Sequence, residues 1–357
     1  MTLASLEVGA IELEDGKLSI SSFCSWGYGT SDLNDFHTAG HGGHFDSGEC
    51  GVGLSSPVSD RAIAAVQMRF APESGGLFLD WAFGEWRFSD QARLRMGLVK
   101  HPIGIYGEVQ HVGTLRPFFL VPFGIYGETE FTGSGVAGAS MSGRLPASGG
   151  WEFNYDLYFG SLKLHVDEVI EKVIDPASIT PGGTLPVGVE ETTYVGGGRL
   201  IVATPLSGLE ARLSGYGSPI HQSDGPRFAV GPSLQYLGER FSARAEYFFF
   251  WEKQNQRTHT AYVEAAWFFT AQFQVGARAE LYRLYLLKAP VDSPLFEHYE
   301  LATTFNYWFD TDLVVKLSFH AIDGNRFAHP RALDDALLSG KLNRRTLAAI
   351  LGMQFSF

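Results

Sequence analysis

The chain has 357 residues, a formal net charge of −12, 45% hydrophobic residues and 14% aromatic residues. It contains no run of about 18 consecutive apolar residues, so a membrane-spanning helix is excluded on length alone. The acidic excess argues against nucleic acid as a partner, because a polyphosphate ligand calls for a basic footprint.

Two-residue periodicity bounded by turn residues predicts strands at Lys17 to Gly29, Gly48 to Pro57, Ala62 to Ala71, Leu77 to Arg87 and Gln91 to Lys100. Further strands are predicted at Phe131 to Arg144, Trp151 to Ser161, Thr192 to Thr204, Gly208 to Gly217, Arg227 to Leu237 and Phe241 to Trp251. The last group is Arg257 to Phe269, Gln272 to Tyr285, His298 to Phe309, Asp312 to Ala321 and Arg345 to Phe357. The total is about sixteen, an even number, as a closed antiparallel barrel in a bacterial outer membrane requires. Only closure satisfies every backbone N–H and C=O in lipid.

The connections alternate in length. Pro57 to Asp60, Ser89-Asp90, Pro146 to Gly150, Pro205 to Ser207, Gly238 to Arg240, Thr270-Ala271 and Asp310-Thr311 read as tight turns. The links Thr30 to Ser47, His101 to Glu130, Leu162 to Glu191 and Ile322 to Arg344 are long. Short turns on one rim and long loops on the other are the pattern of a transmembrane barrel, and the whole chain reads as a single barrel domain, 1–357.

Alternate side chains point to opposite faces. In Phe241 to Trp251, the positions Phe241, Ala243, Ala245, Tyr247, Phe249 and Trp251 face outward, and Ser242, Arg244 and Glu246 inward. The same parity sends Arg69, Arg93, Arg95, Arg199, Arg212, Arg244, Arg278 and Lys316 inward, with Asp80, Glu152, Asp156, Glu210, Glu246, Glu264, Glu280 and Glu300. So many charges predict a wet lumen, since dry packing of an unpaired charge is costly. Glu85 and Arg283 fall on the outward parity near strand ends, where a bulge or the headgroup zone accommodates them.

Cys24 and Cys50 allow one disulfide. Pairing Gly29 near Gly48 places Cys24 opposite roughly Gly53, too far from Cys50 for bridge geometry, so two free thiols are expected. The start lacks a basic segment followed by an apolar one, which reads as a processed chain. At the other end, Leu347, Ala349, Leu351, Met353, Phe355 and Phe357 form an apolar face that ends on an aromatic residue.

That terminal Phe357 resembles the C-terminal signal of outer-membrane barrels. The opening Lys17 to Gly29, the segment Leu79-Asp-Trp-Ala-Phe-Gly-Glu-Trp-Arg-Phe88, then Gly97 to Glu108 and Val112 to Phe118 resemble the sixteen-stranded porins of Gram-negative bacteria. The resemblance implies a water-filled outer-membrane channel for passive diffusion of small hydrophilic solutes, a homotrimer set in lipid and lipopolysaccharide, and no cofactor. It also implies that the third outward loop, His101 to Glu130, which follows the fifth predicted strand, folds into the barrel and narrows it as the constriction loop, 101–130. General porins carry an acidic cluster there, whereas this loop mixes Glu108 and Glu128 with Arg116, His101, His111 and many aromatics.

The expected constriction therefore combines Arg69, Asp80, Arg93, Arg95, Lys100, Glu108, Arg116 and Glu128. A basic ladder at a narrow aperture favours anions; the plainer reading is a set of structural ion pairs, and the two are compatible. His37, His41 and His44 lie near Asp46 and Glu49 in a Gly-rich loop, which supplies neither convergent ligands nor a second shell, so no metal site is expected there. Gly196 to Gly198 lacks the Lys-Ser/Thr and helix of a phosphate loop and reads as a close strand contact. Arg331 to Leu342 has helical spacing. A barrel enzyme would need a nucleophile beside an oriented base; His165 with Asp167 and His320 with Asp323 lack a motif Ser, and no catalytic residue is expected. A barrel sheathing a partner would need a wider lumen and more strands.

Overall fold

The computed structural model describes residues 11–13, 17–71, 76–127, 131–166, 189–218, 226–253, 256–287, 292–331, 339 and 341–357. Among them, sixteen long strands follow in order: β1 (Leu18–Ser31), β2 (His44–Ser59), β3 (Ala62–Ala71), β4 (Gly76–Ser89), β5 (Ala92–Lys100), β6 (Gly135–Pro146), β7 (Glu152–Val166) and β8 (Val189–Ala203). Then come β9 (Leu209–Ser218), β10 (Arg227–Leu237), β11 (Phe241–Glu252), β12 (Gln256–Phe268), β13 (Phe273–Leu286), β14 (Glu297–Trp308), β15 (Leu313–Asp323) and β16 (Arg345–Ser356). Successive strands pair antiparallel, and β16 pairs with both β15 and β1, which closes the sheet. Past the closing register, Ser22 and Phe357 exchange two backbone hydrogen bonds of 2.9 Å. Closure removes every strand edge, as a lipid environment demands. No helix among the described residues is long and apolar enough to cross a membrane.

The pleat sorts the side chains as the periodicity predicts. On β16, Leu347 and Leu351 are 61% and 50% exposed, while Ile350 and Gln354 are 0% exposed. The outer face is apolar, and exposed Phe88, Trp151, Phe241, Trp267, Phe273 and Phe309 cluster beside the tight turns. That cluster is one aromatic girdle of a membrane barrel.

Two local irregularities decide which way the sequence faces. Gln67 pairs with Trp81 and Met68 with Leu79, so Asp80 is an extra residue in β4. This bulge inverts the parity beyond it: Leu77 and Leu79 face outward before it, Trp86 and Phe88 after it, and Glu85 turns inward. Arg283, by contrast, keeps the outward parity at the long-loop rim, its guanidinium 5.1 Å over the Tyr285 ring.

The second irregularity corrects the expected thiols. Tyr28 pairs with Phe45 and, across a register shift, Cys24 pairs with Cys50, so the two cysteines stand opposite each other with Cα atoms 4.1 Å apart and form a disulfide. β2 begins at His44 instead of Gly48, because the link before it makes its own pairing: Ala39–His41 lies parallel to Gly29–Ser31. The hairpin is thereby shifted by about three residues from the sequence-based register.

The expected loop helix, Arg331 to Leu342, falls largely outside the described residues. So do most of the third of the expected long links, residues 167–188, and Glu128.

Candidate functional site

The chain leaves β5 at Lys100 and turns into the barrel. Gly104 has φ 60°, and a Cβ there would lie 2.1 Å from the Tyr126 hydroxyl oxygen, so only glycine fits the turn. The segment then runs along the inner wall from β9 to β16, and inward side chains of that wall receive its backbone. Gly104 N donates to Ser214 Oγ at 2.9 Å and Ile105 N to Glu246 Oε2 at 3.0 Å. Asn306 and Arg278 donate to the carbonyls of Pro117 and Leu120 at 2.8 and 2.9 Å. Lys316 Nζ donates to the carbonyls of Gly113, Arg116 and Phe118 at 2.7, 2.6 and 3.3 Å. Tyr106 donates to Glu264, Tyr126 to Glu246 and Gly124 N to Glu280.

These contacts alter the expectation of a lumen that is wet all round. On this half of the wall Lys316 is 0%, Arg278 3% and Glu300 2% exposed. The charges are packed dry because the inserted loop supplies carbonyl and N–H partners, and a buried charge is tolerated once hydrogen-bonded and paired. Arg278 pairs with Glu300 at 3.0 Å and Arg244 with Glu264 at 3.2 Å.

The opposite half of the wall stays open. Arg69 pairs with Glu49 at 3.3 Å, Arg95 with Glu85 at 2.8 Å and Lys100 with Asp80 at 2.6 Å. The side chains of Arg95, Glu49, Asp156, His111 and Arg69 remain 30%, 27%, 19%, 16% and 15% exposed, and that of loop residue Glu108 35%. Between this rim of charges and the loop lies a stretch of inner surface whose charged groups are in reach of solvent.

The structure brings Arg69, Asp80, Arg95 and Lys100 onto that wall, with Glu108 facing it through Arg199. Arg199 also holds Asp156 at 2.8 Å. Burial alone would raise the Glu108 carboxyl, but the Arg199 guanidinium holds it below the ordinary range. Arg93 lies on the same wall; its Nε has no partner and it makes no ion pair among the described residues. Arg116 serves another purpose. Its guanidinium donates to the carbonyls of Gln110 and Phe119 at 2.5 to 3.2 Å and braces the loop itself; burial lowers it to about 10, still cationic at neutral pH.

Three participants are additional to the expected constriction: Glu49, which binds His111 at 2.7 Å and Arg69; Glu85, which simple parity sends outward and the bulge turns inward; and Arg199, which parity sends inward but whose partner Glu108 is remote in sequence. The glycine run behaves as a close contact: a Cβ on Gly197 would lie 2.5 Å from the Tyr158 ring, whose hydroxyl meets His101 Nε2 at 3.0 Å. Burial pushes the His101 imidazole down to about 4. His41 and His44 are exposed, in keeping with a solvated loop. His320 does not meet Asp323, which binds Arg344; it contacts Glu300 at 3.1 Å and Ser318 Oγ at 3.0 Å. Asp167 lies outside the described residues, as does the side chain of His165.

No protein-family model and no curated protein matches the chain. Solved structures do match it along nearly its whole length. OmpF of Salmonella typhi in complex with daunomycin superposes with a TM-score of 0.61 at 11% identity, over 97% of this chain and 100% of that one. The anion-selective porin of Comamonas acidovorans gives 0.59 at 10% identity, over 95% and 99%. In-vitro folded OmpT of Vibrio cholerae, an outer membrane protein, in its trimer form, gives 0.55 at 9% identity, over 95% and 99%. At such identities the likeness concerns the fold: a closed sixteen-stranded antiparallel barrel of the bacterial outer-membrane type.

Proposed function

We propose that this chain is an outer-membrane porin, a water-filled channel through which small hydrophilic solutes diffuse passively, without cofactor or energy coupling, and with a preference for anions. The observation that carries the reading is the asymmetric loop. It is held by hydrogen bonds to the β9–β16 wall, and the most exposed of the charged groups around it, Arg95, Glu49 and Glu108, face the other side. A loop so pinned narrows a barrel without filling it.

The preference follows from the field at the aperture. Exposed charges beyond about 8 Å are largely screened at physiological salt, so the acidic whole chain matters less than the few groups at the narrowest point. There the four cations Arg69, Arg95, Lys100 and Arg199 meet the five acids Glu49, Glu85, Asp80, Glu108 and Asp156, and Arg93 with the loop cation Arg116 turns that single acidic excess into a single basic one. The likeness to a trimer form of OmpT and to an anion-selective porin supports a homotrimer and an anion lean.

Purified protein in planar bilayers should give stepwise conductance, and in a KCl gradient a reversal potential on the anion side. Liposomes carrying it should swell in small neutral sugars. Folded protein that raises neither conductance nor swelling above empty controls sinks the channel reading. A hydrolase is the second reading, because Ser318, His320 and Glu300 follow the order of nucleophile, base and orienting acid. Their near-complete burial opposes it, and ester turnover abolished by Ser318→Ala is what would revive it.

A further inference from the structure

Glu280, His298 and Glu300 form a second cluster, on β13 and β14, away from the open wall. One oxygen or nitrogen of each lies within 4.8 Å of the corresponding atom of the other two. The three residues are 5%, 0% and 2% exposed. β13 and β14 place them together because Glu280 and Glu300 are directly paired and His298 lies two residues along the same inward face.

Each carboxylate is held by one oxygen and leaves the other without a hydrogen-bond partner. Glu300 Oε1 accepts from Arg278 at 3.0 Å and contacts His320 Nδ1 at 3.1 Å, and His320 is itself oriented by Ser318. Glu280 Oε1 accepts from Gly124 N of the inserted loop. Glu280 Oε2, Glu300 Oε2 and both ring nitrogens of His298 have no hydrogen-bond partner in the protein. The nearest cation to Glu280 Oε2 is Arg278 Nε at 3.8 Å, and His298 Nε2 stands 3.4 Å from Glu300 Oε2. Orphaned buried oxygens cost about 1–3 kcal/mol each, more when charged, so such a group of them points to an occupant.

We propose that these three residues bind a first-row divalent transition ion of the zinc class. One imidazole and two carboxylates are the mixed donors that such ions take, and ligating carboxylates fixed through their second oxygen are the usual outer-shell arrangement. Donors bonded to one zinc ion at roughly 2.0–2.2 Å in tetrahedral geometry stand about 3.5 Å apart, so atoms already within 4.8 Å of one another need close only the remaining gap on binding. The site is walled by aromatic rings: Phe327 packs edge-on to His298 at 5.1 Å, and Phe36, from the first long link, stacks on it at 6.3 Å. A bound ion would join the barrel wall to the inserted loop through Glu280 and Gly124.

The test is metal retention, which is independent of channel activity. The full chain is folded into detergent with zinc chloride, freed of unbound metal by gel filtration, and its zinc counted by mass spectrometry. The expected result is one zinc per chain, an X-ray absorption spectrum with one imidazole nitrogen and carboxylate oxygens, and at least tenfold less zinc in Glu280→Gln and His298→Gln. A variant with His41→Ala and His44→Ala should retain the full amount. Wild-type protein holding no more zinc than Glu280→Gln, or zinc lost with the loop histidines, overturns the proposal. Heat-modifiable migration verifies folding of each variant; should both site variants misfold, the wild-type spectrum decides, since absence of an imidazole–carboxylate shell overturns the site by itself.

Discussion

Glu85 and Arg95 face each other across β4 and β5, with Nε 2.8 Å from Oε2, because β4 carries one extra residue at Asp80. Without that residue Glu85 would point at lipid, and Arg95 would stand unpaired in the lumen. The bulge thus sets the charge balance of the aperture as much as the composition does.

Arg93 has no such partner, so it should contribute more to selectivity than Arg95. A unit charge acting over 6 Å in a water-like dielectric is worth about 0.7 kcal/mol, roughly a threefold change in relative permeability. Arg93→Gln should move the reversal potential in a KCl gradient towards cations by about that factor, and Arg93→Gln with Arg95→Gln further. An unchanged reversal potential in open channels removes both residues from the filter.

Arg116 should behave differently. With its guanidinium spent on loop carbonyls, Arg116→Gln is expected to loosen the loop, raising conductance and current noise more than it shifts selectivity. Tyr126→Phe should do likewise, since Glu246 loses a buried donor at a cost of about 1–3 kcal/mol. Single-channel recordings separate the two effects: a pure selectivity change with normal noise would contradict the brace assigned to Arg116.

Leu351→Arg, on the outward face of β16, should impair assembly by roughly 2–4 kcal/mol if it lies near the bilayer midplane. Ser142→Arg, on the inward face of β6 beside the open wall, should be tolerated. Ile350 is no fit control even though its parity is inward, because it is fully buried in the packing beneath the loop. Heat-modifiable yield from folding reactions measures both variants; equal yields would mean the facing assignment is wrong.

Thiol titration of the denatured, unreduced protein should find no free cysteine. Cys24→Ser with Cys50→Ser should still give a barrel, since sixteen strand pairings hold it, but one destabilised by roughly 2–4 kcal/mol. Lower thermal stability with normal conductance is the expected pair of results. Two titrating thiols in the wild type would disprove the β1–β2 register.

The barrel itself was legible in the sequence because a closed sheet in lipid imposes a strict two-residue alternation and a rhythm of short and long links, both of which are local. Strand positions and the inward charges follow from those two signals, whereas the inserted loop is expected only from the resemblance to sixteen-stranded porins. What alternation cannot register is a single inserted residue: the bulge at Asp80 and the shifted hairpin that joins Cys24 to Cys50 each depend on which residue lies opposite, a property of two strands and not of one. The partners of the charges were likewise decided only in three dimensions. Arg199 finds Glu108, Lys316 finds three loop carbonyls, and Glu280, His298 and Glu300 converge, because the loop and the wall meet across long stretches of chain that no local pattern connects.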